Sequence, residues 1–156
     1  MKIVAFIPAR LESKRFPNKV IKKIFELPMI EHVRRRAKIS NIFNKIIIVT
    51  NSLKIKKILN EYKAKVILSK KKHYNGTSRA AEVSKNFNYD FAFVLFSDEP
   101  FIDPKKIRIC KNKIKSLAKF DVINVTTNIK KNDLRSRQVV KCVIDKDKRI
   151  INYFRT

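Results

Sequence analysis

Ile3-Val4-Ala5-Phe6-Ile7-Pro8-Ala9-Arg10-Leu11-Glu12-Ser13-Lys14-Arg15-Phe16-Pro17-Asn18-Lys19 runs without a break from an apolar stretch into a short basic loop. The continuous apolar pattern over residues 2–7 is that of a strand covered on both faces, because a strand with one wet face alternates polar and apolar residues. Directly behind it, Arg10, Arg15 and Lys19 set three cations along a segment whose prolines, Pro8 and Pro17, restrict the backbone and remove two amide donors. A loop of this kind at a strand end suits a polyanionic ligand such as a triphosphate. It is not a Walker A loop, which wraps phosphates with the amides of several glycines, since the whole chain has one glycine. Charge here must come mainly from side chains.

Outward from this segment, strand and helix patterns alternate. Pro28 is placed to start a helix, and Ile30, Val33 and Ala37 recur on one face through Ser40. Residues 45–50, with four successive β-branched residues from Ile46 to Val49, read as a second strand. Ile55, Ile58, Leu59 and Tyr62 share a helical face, and residues 65–68 form a short third strand. Residues 70–75 are a polar loop, after which Asn75 or Thr77 caps a helix whose inner face carries Ala80, Val83 and Phe87. Residues 91–96 make a fourth strand that ends at Ser97-Asp98-Glu99-Pro100. Pro104 starts a further helix with Ile107, Cys110, Ile114 and Leu117 on its buried side, and residues 121–126 read as another strand. Residues 138–144 and 149–154 flank Asp145-Lys146-Asp147-Lys148 as a hairpin with a polar turn.

This order predicts an α/β chain with a largely parallel, Rossmann-like sheet, helices on both faces and an antiparallel finish. No composition break divides it, so residues 1–156 are expected to form one domain. Ligands of such sheets bind at the carboxyl ends of strands, where both the cationic loop and Asp98 fall.

With 156 residues, 44% of them hydrophobic, the chain is long enough for a real core and is not a disordered tail. Its apolar runs are far shorter than the roughly 18 residues of a membrane span, and the first residues lead into a strand without a signal-peptide layout, so a soluble cytoplasmic protein is expected. Cys110 and Cys142 lack any Cys-x-x-Cys or Cys/His spacing and read as buried thiols. His32 and His73, isolated from metal-ligand spacing, suit surface or capping roles. A net charge of +25 raises nucleic-acid binding as a possibility. The lysines, however, are interleaved with isoleucine and asparagine through nearly every segment, with no basic tail or nucleic-acid motif. Asp98, just past a buried strand and beside Glu99, is placed to hold Mg²⁺, a hard ion that takes carboxylate, water and phosphate oxygens together, or to serve as a local ion-pair partner.

Several segments in order resemble the 3-deoxy-manno-octulosonate (Kdo) cytidylyltransferases, the CMP-Kdo synthetases. Residues 7–19 are similar to that family's first signature and Leu27-Pro28-Met29-Ile30-Glu31-His32 to the start of its first helix. His73-Tyr74-Asn75-Gly76-Thr77-Ser78-Arg79 resembles its His-x-Ser-Gly-Thr-Asp-Arg loop, Ser97-Asp98-Glu99-Pro100 its Gln-Gly-Asp-Glu-Pro turn, and residues 140–155 its later hairpin. The resemblance implies a nucleotide-diphospho-sugar transferase fold and transfer of CMP from CTP to a sugar acid such as Kdo, with release of pyrophosphate. It implies that Arg10, Arg15 and Lys19 hold the triphosphate and that the backbone at Pro8 and Ala9 frames the cytosine. Gly76, Thr77 and Arg79 would line the nucleotide pocket, and Asp98 would give a carboxylate to Mg²⁺. Arg10, Lys19 and Asp98 would carry the chemistry, which needs positioning and charge neutralisation rather than a covalent nucleophile. Gly76 can also be read as a turn residue that needs positive φ before a helix.

The chain departs from the family's pattern at Asn18, Glu26 and Ser97, each standing for a glycine, at Ser78 for an aspartate and at Asn75 for a serine. Of these, Asn18 tolerates a left-handed conformation best. The resemblance further implies that a C-terminal portion of the family, with a second metal-binding aspartate, acceptor-sugar contacts and dimer surface, lies beyond Thr156. A homodimer or a complementing polypeptide would then complete the site. A degenerate nucleotide-binding domain without turnover and a basic nucleic-acid-binding protein remain the alternative functions.

Overall fold

The computed structural model describes residues 1–13, 16–116 and 121–155. Its contacts divide the chain into two compact units, Met1–Ser116 and Leu117–Thr156.

In the first unit, β1 (Ile3–Ala9), β4 (Lys45–Thr50), β5 (Val66–Leu68) and β6 (Phe91–Val94) form one parallel sheet in the order β5-β4-β1-β6. All seven residues of β1 are buried, as its unbroken apolar pattern requires of a central strand. Side-chain alternation then sorts two cores. Ala5, Ile7 and Ala9 of β1 with Ile48 of β4 pack against Ile30, Val33 and Ala37 of α1 (Met29–Ser40) and Ile55 and Leu59 of α2 (Leu53–Asn60). Val4 and Phe6 of β1 with Ile47 and Val49 of β4 pack against Ala80 and Val83 of α3 (Gly76–Ser84). Phe6 also meets Phe87 and Tyr89 edge-on, with both pairs of ring centroids 5.9 Å apart. The helix faces read from the sequence are thus the buried ones, and helices cover both sides of the sheet. The fourth helix, α4 (Pro104–Ser116), buries Ile107 and Ile114, whereas Cys110 is half-buried rather than buried, as is Cys142. Leu117 lies outside the described residues.

Helix ends follow local chemistry. Pro28 precedes α1 as its N-cap residue, Ser52 caps α2 by accepting from the Ile55 amide, and Asn75 caps α3 by accepting from the Ser78 amide. The Glu31 carboxylate in the first turn of α1 is fully buried, where Arg34 grips it through two bonds of 2.7 Å and Arg35 adds one of 2.9 Å. Arg34 also donates to the Tyr62 carbonyl, which ties α1 to the end of α2. With a single glycine available, the left-handed backbone positions fall to Asn18, Phe25, Asn41, Lys63 and Lys148. Phe25 stands in the two-residue turn between β2 (Lys23–Ile24) and β3 (Leu27–Pro28), an antiparallel pair that sequence reading missed because two-residue strands carry no periodicity.

In the second unit, β7 (Lys141–Ile144) and β8 (Ile150–Phe154) pair antiparallel around the polar turn, as expected, and form a sheet of their own. The expected strand over residues 121–126 is absent. Those residues are exposed and find no ladder partner among the described residues, and β-branched side chains do not make a strand without one.

Candidate nucleotide site

Numbered by their order along the chain, the parallel strands stand third, second, first, fourth across the sheet. The chain leaves β1 through α1 on one face and reaches β6 from α3 on the other, so the carboxyl ends of β1 and β6 bound a crevice at the point where the strand order reverses. Doubly wound sheets place ligands there.

Three segments meet at this crevice. The first is the loop behind β1, which the Asn18 amide closes with a 3.1 Å bond to the Leu11 carbonyl. Asn18 takes φ 58° there, so the left-handed role expected of it is the one it has. The closure feeds a 3-10 turn, Lys19–Ile21, anchored by buried Val20. The second is the turn behind β6, where the Leu95 amide still bonds the Phe6 carbonyl before the chain departs at Asp98. Lys19 Nζ from the first segment donates to Asp98 Oδ2 of the second. The third is the first turn of α3. A Cβ on Gly76 would lie 3.0 Å from Pro8 Cγ and 3.3 Å from Pro8 Cβ. Gly76 does not have positive φ, so the turn explanation for this glycine is wrong. A larger residue there would press on the Pro8 ring, which would have to give by a few tenths of an ångström.

Pro8 and Ala9 are buried in β1, Arg10 and Thr77 are exposed, and Arg15 lies outside the described residues. Arg79, expected to line the nucleotide pocket, is largely withdrawn from solvent. Its side chain is buried, and Nη1 donates to the Ala9 carbonyl and to Asn51 Oδ1, the latter at 3.1 Å. Burial pushes the Arg79 pKa down and neighbouring Arg10 adds to this, while Glu12 and Glu82 oppose it. Burial also raises the Glu99 carboxyl, helped by the charge of Asp98. Neither Glu26 nor Ser97, two of the positions where a glycine is replaced, has positive φ.

The loop before α3 is held by Glu82, which accepts from the Lys70 amide at 3.0 Å and pairs with His73 Nε2. The His73 bond holds the Glu82 carboxyl below its ordinary range. His32 Nε2 meets the Ile24 carbonyl at 2.8 Å. Sequence reading missed the Asn51 contact, the Glu82 anchor and the direct pairing of Lys19 with Asp98. Asn51 was findable, since it directly follows β4 at the same sheet edge as the cationic loop.

A basic loop, a facing carboxylate and a capped helix start thus meet at the switch point of a parallel sheet, where doubly wound α/β proteins bind their ligands. The sequence pattern of the family described as Cytidylyltransferase matches residues 4–156, and the chain belongs to that family. Among curated relatives it is 31% identical over 148 residues to a 3-deoxy-manno-octulosonate cytidylyltransferase of Geobacter metallireducens, covering 94% of this chain and 58% of the relative. It is 33% identical over 149 residues to one of Geotalea uraniireducens, covering 93% and 58%. A solved structure described as CMP:2-keto-3-deoxy-manno-octonic acid synthetase complexed with CTP superimposes with a TM-score of 0.83 at 23% identity, covering 98% of this chain and 64% of that one. A cytidylyltransferase structure from Leptospira borgpetersenii gives a TM-score of 0.63 at 22% identity, covering 72% and 48%. The resemblance drawn from the motifs thus extends over nearly the whole chain, which spans about three-fifths of the length of these curated relatives. Among the described residues no helix is long and apolar enough to cross a membrane.

Proposed function

We propose that this chain binds CTP in the crevice between β1 and β6 and serves transfer of CMP to a sugar acid, Kdo by its relatives, in the cytoplasm. The observation that carries the reading is the convergence of Lys19 with Asp98 beside the Gly76–Pro8 contact. Pro8 and Ala9 frame the base, Arg10, Arg15 and Lys19 take the phosphates, and Gly76 and Thr77 line the nucleotide. In the reaction, the anomeric hydroxyl oxygen of the sugar acid forms a bond to the α-phosphorus, the bond to the bridging oxygen breaks, and pyrophosphate leaves with that electron pair while the hydroxyl proton passes to solvent. Side-chain cations suit this step because charge gathers on the leaving phosphates.

The donor set bears on Mg²⁺. No group of three or more His, Cys, Asp or Glu that could hold a metal occurs among the described residues, and Asp98 presents one half-exposed carboxylate. This fits an ion carried in on the triphosphate, with phosphate and water oxygens as its other ligands, and Asp98 would hold it. Such an ion would offset charge on the phosphates. Under the same proposal, acceptor-sugar contacts come from a second copy of the chain or a complementing polypeptide.

Pyrophosphate release from CTP and Kdo, followed with Mg²⁺ present, tests this reading. Release that needs both substrates supports it. CTP binding without release would assign the chain a nucleotide-binding role without turnover, and RNA binding with a steep salt slope and no CTP preference would replace it with a nucleic-acid role.

A further inference from the structure

We propose that Arg79 and Asn51 act as a positioning pair, which does not touch the nucleotide but fixes the carbonyl end of β1 from which the phosphate loop departs. Arg79 is 4% exposed, and its Nη1 is committed to protein acceptors, so little of the guanidinium is left to meet a phosphate. Nη1 is spent on the Ala9 carbonyl and Asn51 Oδ1, at the ends of two neighbouring strands whose last register pair is Ala9 with Thr50. Gly76 and Arg79, one helical turn apart on α3, reach the consecutive residues Pro8 and Ala9. The end of β1 is therefore clamped between a steric stop and a charged hydrogen bond, and the next residue is Arg10.

The arrangement is not one that stability alone would select. Burying a guanidinium is costly, and Arg79 Nε has no partner among the described residues. An apolar side chain would fill the same space without those losses, but it could not hold the Ala9 carbonyl and the Asn51 amide oxygen together. Asn51 is exposed, so its side chain can be removed without opening the core.

The proposal rests on the CTP site above for its affinity readout only. Asn51→Ala, Arg79→Lys and the double variant would be compared by amide resonances of the ligand-free protein and by CTP titration. In ligand-free Asn51→Ala the amides of Arg10 and Leu11 should shift while that of Val33 stays. CTP affinity should fall on the order of threefold to tenfold, and the double variant should bind no worse than Arg79→Lys, as expected of residues acting as one unit. An unmoved Arg10 amide in Asn51→Ala, whatever the melting temperature does, would overturn the pairing. So would an additive double variant, or a CTP loss in Arg79→Lys to which Asn51→Ala has no counterpart. If the unmodified chain does not bind CTP, the proposed function fails, and the ligand-free resonances alone decide the positioning role.

Discussion

Lys19 Nζ is hydrogen-bonded to Asp98 Oδ2 across 79 positions of sequence, joining the loop behind the first parallel strand to the turn behind the fourth. Both side chains keep contact with solvent, 29% and 42% exposed, so the pair itself adds at most about 1 kcal/mol to stability. A pair this weak and this exposed can open when a polyanion competes for the Lys19 ammonium.

Lys19→Ala should therefore separate binding from stability. The melting midpoint should change little, while CTP affinity should fall roughly tenfold or more, the loss expected for one charge-assisted phosphate contact, with cytidine affinity unchanged. Equal losses for CTP and cytidine by calorimetry would remove Lys19 from the phosphates.

Gly76→Ala sets two effects against each other. At this first helical position alanine gains less than the roughly 1 kcal/mol of an interior site, while its Cβ would press on the Pro8 ring at 3.0 Å, and overpacking of this kind costs about 1–3 kcal/mol. The clash should win, lowering the urea midpoint and weakening CTP together. A raised midpoint would mean that Pro8 gives way.

Glu31 is the buried charge on which α1 depends. Glu31→Gln leaves Arg34 and Arg35 without their carboxylate and should cost about 1–3 kcal/mol, read from urea unfolding. A change below about 1 kcal/mol would show that the arginines find other partners.

The Glu82 anchor should be pH-dependent in one direction. Its pKa is lowered from the ordinary 4.5 in the folded chain, chiefly by the His73 hydrogen bond. The stability it contributes is present above the unfolded value and is lost as pH falls through the lower folded one. Protection of the Lys70 amide from exchange should collapse below pH 4.5, and Glu82→Gln should abolish that step. Protection independent of pH down to the acid transition would contradict it.

Phe25 holds φ 50° while 89% exposed, a conformation that costs a bulky L-residue about 1–2 kcal/mol. Phe25→Gly should raise the unfolding midpoint by a corresponding fraction of that cost, and a lowered midpoint would show that the ring packs usefully.

The parts of the fold legible in the sequence are those where burial imposes a period. The seven buried residues of β1 and the Ile30, Val33, Ala37 face of α1 read directly because each must meet the core. The β-branched, apolar pattern over residues 121–126 misled because strand formation also needs a partner, and propensity does not supply one. At the site, Lys19 and Asp98 were each visible as charged groups at strand ends, but which cation meets which carboxylate depends on the strand order. Arg79 was visible as a cation and not as a buried one, because its burial arises from the packing of α3 on β1.

Calorimetric titration of the chain with CTP and Mg²⁺, with ATP as the control, tests the central claim most directly. Saturable binding selective for CTP, weakened roughly tenfold or more in Lys19→Ala, is the predicted result. A folded chain that binds neither nucleotide, or binds both equally, would contradict the assignment of the crevice between β1 and β6 as a cytidine nucleotide site.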